Sequence, residues 1–279
     1  MNVLAINKIS RNLKMWRFKM PNTPYSKRYH TFETNFMNKI IIILTMAFSL
    51  FGCNKKEKVD NLTFQQYVAS GNYSETKKQL SYGIDPNNII NNGVTPLMTA
   101  SLNDQVEIIE LLYQYKADIN AQSEKGWTAV LYAAENGNLK SLKKLTELGA
   151  NINLTLTGGE NAVIQACFRN HPECAKFLID SGAKIGIPTE IGLTELIVAS
   201  DLGNLELVKM LYDKFDNVNS INKYGETALI RASLRGHKEV TEFLIQKGAN
   251  KNIKDQSGKN AIDWANENEH FEIKRILNE

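Results

Sequence analysis

Glycine recurs at a fixed spacing of 33 residues through the last two thirds of the sequence. The six positions are Gly93, Gly126, Gly159, Gly192, Gly225 and Gly258. Glycine accounts for 17 of the 279 residues, so five further matches at one spacing have a chance probability of about one in a million. A period of this length indicates an array of equivalent structural units, each of which packs on its neighbours.

Other positions keep the same register and predict two helices in each unit. An alanine stands seven residues after every one of these glycines, and a leucine stands nineteen residues after it. In the unit that starts at Gly126, Thr128 is a candidate N-cap and Gly137 ends the first helix. A second helix is predicted over residues 139–148, with Leu142 and Leu145 facing inward. The repeated alanine marks a close approach between helices, and the repeated leucine marks a core position.

These units resemble the ankyrin repeat. The start of that repeat is matched by Gly93-Val94-Thr95-Pro96-Leu97-Met98-Thr99-Ala100, and its end by Gly149-Ala150-Asn151-Ile152-Asn153. The resemblance covers residues ~60 to 279 and implies an all-α ankyrin-repeat solenoid of about seven helix-turn-helix units with short hairpin-like loops. A cap is expected over residues 61–92, with repeats starting near 93, 126, 159, 192, 225 and 258. The units that start at Gly159 and Gly192 depart from the pattern, so we expect irregular loops near Gly158 and Pro188.

The segment before the repeats looks like an export signal. Residues 37–53 read MNKIIIILTMAFSLFGC, and their apolar run is shorter than the ~20 residues that cross a bilayer. The ending Leu50-Phe51-Gly52-Cys53 resembles the lipobox of bacterial lipoproteins, which implies cleavage before Cys53 and lipid attachment to its thiol. An ordinary cleaved signal, an uncleaved anchor and a buried helix are the alternatives.

The segment boundaries follow from this interpretation. Residues 37–52 form the signal peptide and residues 53–60 a lipidated tether. Residues 1–36 are either the product of a start assigned too early or a genuine disordered extension. By resemblance to lipoproteins without Asp directly after the cysteine, Asn54 favours the outer membrane, facing the periplasm.

The charge distribution gives no reason to expect a nucleic-acid partner. Residues 1–52 contain eight Lys or Arg and one acidic residue, whereas the rest of the chain contains 25 basic and 29 acidic residues. The basic character therefore belongs to the leader, and the predicted repeat domain is mildly acidic.

The residue types that often serve catalysis are explained by the repeat register. His171, His237 and His270 each lie twelve residues after a repeat glycine, where they are expected to start the second helix and bond to backbone groups. Stacking would spread them along the array rather than bring them together. We therefore predict no enzyme activity, metal, cofactor or small-molecule substrate. Cys167 and Cys174 are either two buried thiols or a local disulfide.

A partner-binding face is predicted from side chains that the core does not need. In an ankyrin solenoid these flank the repeat glycine or stand nine and ten residues after it. Several are large, apolar or basic here, and such residues often dominate binding energy. The candidates are Leu102, Trp127, Phe168, Arg169, Ile191, Leu193, Leu202, Tyr224, Leu234 and Arg235.

The combined expectation is a lipid-anchored periplasmic protein that binds another protein through its concave face. A sharper alternative is an immunity protein that neutralises a toxin delivered to the periplasm. A cytoplasmic ankyrin scaffold with a misread leader is a further alternative, and an enzyme is disfavoured.

Overall fold

The computed structural model describes residues 58–214 and 217–279. The predicted extension, signal peptide and lipidation site at Cys53 lie outside these residues, as does most of the predicted tether. None of the described helices is long and apolar enough to cross a membrane.

The described residues form seven pairs of short α-helices and no β-strand. The pairs are α1 (Asn61–Ala69) and α2 (Tyr73–Ser81), α3 (Pro96–Leu102) and α4 (Val106–Gln114), α5 (Ala129–Glu135) and α6 (Leu139–Glu147), α7 (Ala162–Phe168) and α8 (Pro172–Asp180), α9 (Glu195–Leu202) and α10 (Leu205–Tyr212), α11 (Ala228–Arg235) and α12 (Lys238–Gln246), and α13 (Ala261–Glu267) and α14 (Phe271–Asn278). The predicted all-α solenoid of seven helix-turn-helix units is confirmed.

A short polar side chain begins the first helix of every repeat. Thr128 Oγ1 accepts a hydrogen bond from Leu131 N at 3.1 Å, as the sequence predicts. Asn161 and Thr194 cap α7 and α9 in the same way. Each cap satisfies one of the backbone donors that a helix start leaves free.

The repeated alanines and leucines form the core. Ala133, Ala199 and Leu145, like their counterparts in the other repeats, are fully buried. Neighbouring first helices pack against one another more extensively than neighbouring second helices do. Because the small alanines let the first helices approach closely, an array of such units is expected to curve toward them, with their outer sides on the concave face.

The repeat glycine allows a close approach between successive loops. Gly126 has φ +82°, and a Cβ atom placed there would lie 2.8 Å from Thr155 O. Backbone hydrogen bonds join the loops in sequence, for example Thr157 N to Lys125 O at 3.1 Å and Glu190 N to Gly158 O at 3.0 Å. The loop at Gly158 keeps the same two-residue turn as its neighbours, so no irregularity is found there.

A second ladder of hydrogen bonds runs along the opposite loops. Asn120 Oδ1 accepts from Asn151 N, and Asn153 Oδ1 accepts from Lys184 N, both at 2.8 Å. The same contact recurs at Asn87 and Asn219, and Gly186 interrupts it because glycine has no side chain. The local turn is also lost at Gly186, so the irregular loop expected near Pro188 is present.

Candidate protein-interaction surface

The concave face is built from one side of each first helix. Side chains six, nine and ten residues after the repeat glycine point to this side, and ion pairs between adjacent units demonstrate the alignment. Arg169, ten residues after its glycine, reaches Glu135, which is nine after the preceding one. We use the name concave face for these three positions together with the loop residues beside each glycine.

The structure leaves most of the predicted side chains accessible to some degree. The Leu202 side chain is among the exposed large apolar groups of the described residues, with 40% exposure. The Arg235 and Arg169 side chains are 40% and 34% exposed. The remaining accessible candidates are half-buried: Leu102, Trp127, Phe168, Ile191, Tyr224 and Leu234.

Leu193 is a wrong prediction, because its side chain is only 2% exposed. Its backbone N–H donates to Thr189 Oγ1 at 3.0 Å, and its carbonyl accepts from Thr189 N at 2.9 Å. The same two bonds join Trp127 to Ser123 in the second repeat, so this loop closure is shared by the two units. The Leu193 side chain, unlike that of Trp127, nevertheless lies in the core. The residue after the glycine is therefore a packing position in this unit.

Trp127 is partly covered by an aromatic neighbour from the next helix. Its ring stacks on Tyr132 with the centroids 4.7 Å apart and 23° between the planes. Burial raises the pKa of the Tyr132 phenol to about 12, and the Glu135 carboxylate adds to the effect. The phenol therefore stays protonated at neutral pH. Tyr132, which stands six residues after Gly126, is not among the residues predicted from the sequence.

Arg169 and Glu135 join the second and third repeats. The Glu135 Oε1 atom accepts from Arg169 Nη2 at 2.7 Å and from Nε at 3.3 Å. The Glu135 side chain is only 11% exposed, so the carboxylate lies beneath the guanidinium. A hydrogen-bonded pair of this kind holds the arginine in one orientation.

A larger ionic network joins the fourth and fifth repeats. Asp201 Oδ1 is bound by Arg231 through Nε at 2.9 Å and by Arg235 through Nε at 2.9 Å. Arg231 Nη1 also donates to Glu226 Oε1 at 2.9 Å. The Arg231 side chain is only 6% exposed, and this burial is possible because two carboxylates surround it.

Arg231 is also absent from the residues predicted from the sequence. It stands six residues after its glycine, outside the positions for which exposure is predicted. The spacing of four residues between Arg231 and Arg235 puts them on one face of α11, and this signal would have identified the pair.

Most of the residues twelve after a repeat glycine join neighbouring units through backbone carbonyls. His237 Nε2 lies 3.0 Å from Asp201 O, and His270 Nε2 lies 3.3 Å from Leu234 O. Asn138 Nδ2 donates to Ser101 O and Leu102 O at 2.8 and 2.9 Å. The structural role that the register predicts for His237 and His270 is therefore confirmed. For His171, burial is the main cause of a lowered pKa.

Neither metal-binding clusters nor a disulfide is found in residues 58–214 and 217–279. No group of three or more His, Cys, Asp or Glu side chains there is arranged to hold a metal ion. Cys167 and Cys174 are free and buried. Burial raises the pKa of both thiols, to about 11 for Cys174, so they remain protonated and unreactive at neutral pH.

Comparisons with known proteins agree with this architecture. The protein family described as "Ankyrin repeats (3 copies)" matches residues 43–123, 64–156, 115–189 and 196–279. The human ASB11 ankyrin repeat domain is 25% identical, with a TM-score of 0.68 over 77% of this chain and 95% of that one. A search of curated protein sequences gives no significant match.

A second solved structure is bacterial. It is titled as the predatory endopeptidase Bd0816 from Bdellovibrio bacteriovorus in complex with the immunity protein Bd3460. The matching chain is 31% identical, with a TM-score of 0.60 over 65% of this chain and 96% of that one.

Proposed function

The chain belongs to the ankyrin-repeat family, and on that premise we propose that it binds another protein through its concave face. Ankyrin repeats generally act as non-enzymatic interaction modules. The observation that carries the proposal is the row of partly exposed Arg169, Leu202 and Arg235, each ten residues after a repeat glycine. Exposed apolar side chains with ordered arginines beside them are common features of protein interfaces.

We further propose that this binding serves immunity, in which the partner is an endopeptidase active in the cell envelope. The support is the similarity to a chain from a complex of an endopeptidase with an immunity protein, which this chain covers over 96% of its length. An ankyrin solenoid suits inhibition because its rigid curved surface can cover an active-site cleft without being cleaved itself.

The proposed location is the cell envelope, with a lipid on Cys53 as the anchor. The support comes from the sequence alone, from the apolar run that ends in Leu50-Phe51-Gly52-Cys53. Two or three acyl chains give firm attachment, whereas one chain alone gives marginal attachment. The tether of residues 53–60 would reach at most about 29 Å when extended, so the concave face would operate close to the membrane surface.

The immunity proposal is tested by protection of cells. Endopeptidases exported to the envelope of the source organism are produced one at a time in the periplasm of a laboratory host, with and without the full chain. We expect at least one to lyse the cells, and the full chain to prevent the lysis. The purified pair should then form a stoichiometric complex in which the peptidase is inactive.

The controls separate immunity from mere expression effects. The variant with Phe168→Ala, Leu202→Ala and Tyr224→Ala should fail to protect, while one with Tyr113→Ala and Phe271→Ala, exposed on second helices, should protect fully. If a correctly exported, folded chain protects against none of these endopeptidases, the immunity proposal is wrong.

The anchor is tested separately with Cys53→Ala. We expect the parent chain to be processed and to fractionate with membranes, and the variant to remain unprocessed. If the parent chain and the variant are both soluble and of unaltered size, the lipoprotein interpretation is wrong. The interpretation as a cytoplasmic scaffold is then favoured.

A further inference from the structure

Building on the proposed binding through the concave face, we propose that Arg169, Leu202 and Arg235 form a clamp for an acidic segment of the partner. The clamp would take an extended stretch of chain that presents a carboxylate, an apolar side chain and a second carboxylate in succession. This names the chemistry of the partner, which the family does not determine.

The three residues occupy one position in three consecutive units. Each stands ten residues after its repeat glycine, at or next to the end of α7, α9 or α11. The same position holds the neutral Asn136 in the repeat before and Asn268 in the repeat after. The basic–apolar–basic pattern is therefore confined to the middle of the array.

The Arg235 guanidinium is held in one orientation by the Asp201 carboxylate. Its Nε donates to Asp201 Oδ1 at 2.9 Å. Among the described residues, neither terminal nitrogen of Arg235 makes a hydrogen bond. Asp201 is fixed in turn by the buried Arg231. The two terminal nitrogens of Arg235 can thus meet a partner carboxylate in the bidentate geometry that a guanidinium favours.

Arg169 has a matching support. Its Nε and Nη2 both bind Glu135 Oε1, so the guanidinium is oriented before any partner arrives. Ordering an arginine beforehand reduces the entropy lost on binding. Both basic ends of the clamp are preorganised in this way.

The depth of the charges makes the outer surface positive, although the cluster as a whole is neutral. The Glu135, Glu226 and Asp201 side chains are 11%, 12% and 25% exposed, whereas the two clamp arginines are 34% and 40% exposed. A partner approaching the concave face meets the guanidinium groups first. Electrostatic complementarity therefore favours an acidic segment over a basic one.

The spacing sets the length of that segment. Packed helices lie about 8–10 Å apart, so Arg169 and Arg235, two units apart, are separated by roughly 16–20 Å. An extended chain advances about 3.3 Å per residue, which places the two carboxylates about five or six residues apart. Leu202 lies between the arginines and would contact an apolar side chain near the middle.

The experiment uses the full chain in mild detergent and a pair of labelled peptides. One peptide of about ten residues carries two glutamates about five residues apart with a leucine between them, on an Ala/Ser background. The other has glutamine in place of both glutamates. We expect fluorescence anisotropy at low salt to show at least tenfold tighter binding of the glutamate peptide, with the preference shrinking as salt rises.

Variants then assign the preference to the clamp. Arg169→Gln with Arg235→Gln should abolish it, while Leu202→Ala should weaken binding of both peptides by about fivefold. The matched control is Lys274→Gln with Arg275→Gln, which removes two exposed positive charges from α14 and should leave the preference intact. A thermal melt of each variant shows that it is folded.

Two outcomes overturn the clamp. One is equal binding, or no binding, of both peptides by the folded parent chain, and the other is an undiminished preference in the double arginine variant. The protection assay distinguishes this failure from failure of the proposed function. Equal protection of cells by the parent and by the double arginine variant would exclude the clamp and support the immunity proposal. Discrimination between the peptides without protection of cells would support the clamp and exclude the immunity proposal.

Discussion

Glu195 Oε2 accepts a hydrogen bond from the backbone N–H of Gly186 at 3.0 Å. Its Oε1 accepts a second bond from Asn161 Nδ2 at 2.7 Å, and the side chain is completely buried. The corresponding position in the other repeats is Pro or Ala. Since Gly186 is also where the asparagine ladder is interrupted, the glutamate replaces a lost connection between the third and fourth repeats.

Glu195→Ala is therefore expected to destabilise the fold by about 1–3 kcal/mol, because it leaves the Gly186 N–H without its acceptor. The measurement is the urea unfolding midpoint. The control is Glu206→Ala, which removes an exposed carboxylate from the first turn of α10 and should change the free energy of unfolding by less than about 0.5 kcal/mol. Equal shifts in the two variants would contradict the role of Glu195.

Glu195 also predicts a pH dependence. Burial is the largest influence on this carboxyl and raises its pKa above the ordinary 4.5, although the bonds from Asn161 and Gly186 act in the opposite direction. The stability that it contributes is fully present below pH 4.5 and is lost as the pH rises through the folded-state pKa. The parent chain should therefore lose stability relative to Glu195→Gln over this interval, as measured by urea unfolding at several pH values. A constant difference would refute the shift.

Gly126→Ala and Gly149→Ala form a matched pair that isolates the close approach between loops. Both glycines have positive φ, so alanine costs about 1 kcal/mol at each. A Cβ at Gly126 would also lie 2.8 Å from Thr155 O, whereas nothing lies within 4 Å of one at Gly149. We expect Gly126→Ala to lose about 1–3 kcal/mol more than Gly149→Ala. Similar urea midpoints would show that the loops can separate freely.

Ala199→Leu tests the packing between first helices. Ala199 is fully buried in α9, and extra methylene groups in a filled core cost about 1–3 kcal/mol. The control is Ala249→Leu, at a half-buried loop position, where the larger side chain can turn toward solvent. An unchanged urea midpoint for Ala199→Leu would mean that the helices are not closely packed there.

The combination of Phe168→Ala, Leu202→Ala and Tyr224→Ala tests the apolar part of the concave face. We expect partner binding to weaken by more than about 2 kcal/mol, because these side chains lose their contact area. All three are at least partly exposed, so the thermal melt should change little. Calorimetric titration with the endopeptidase identified by the protection assay measures the affinity. Full affinity in a normally folded variant would show that the partner binds to another surface of the protein.

The repeat register determined most of the fold in advance. A residue that recurs every 33 positions must meet the same surroundings in every unit, so the buried alanines, the positive-φ glycines and caps such as Thr128 could all be read from one unit. The register also predicted that Leu202, Arg169 and Arg235 share a surface. These properties depend on position within the unit, and the sequence shows that position directly.

Only the tertiary structure shows which side chains are buried or paired where neighbouring units differ in sequence. Leu193 follows its glycine as Trp127 does and closes its loop with the same pair of bonds, yet its side chain is buried whereas that of Trp127 is partly exposed. Arg231 is stable in the interior because two carboxylates pair with it, Glu226 in its own repeat and Asp201, 30 residues away. Glu195 likewise depends on Asn161, 34 residues away. A buried charge is tolerated or excluded by its partner, and partners so far apart in the chain are revealed only when the units stack.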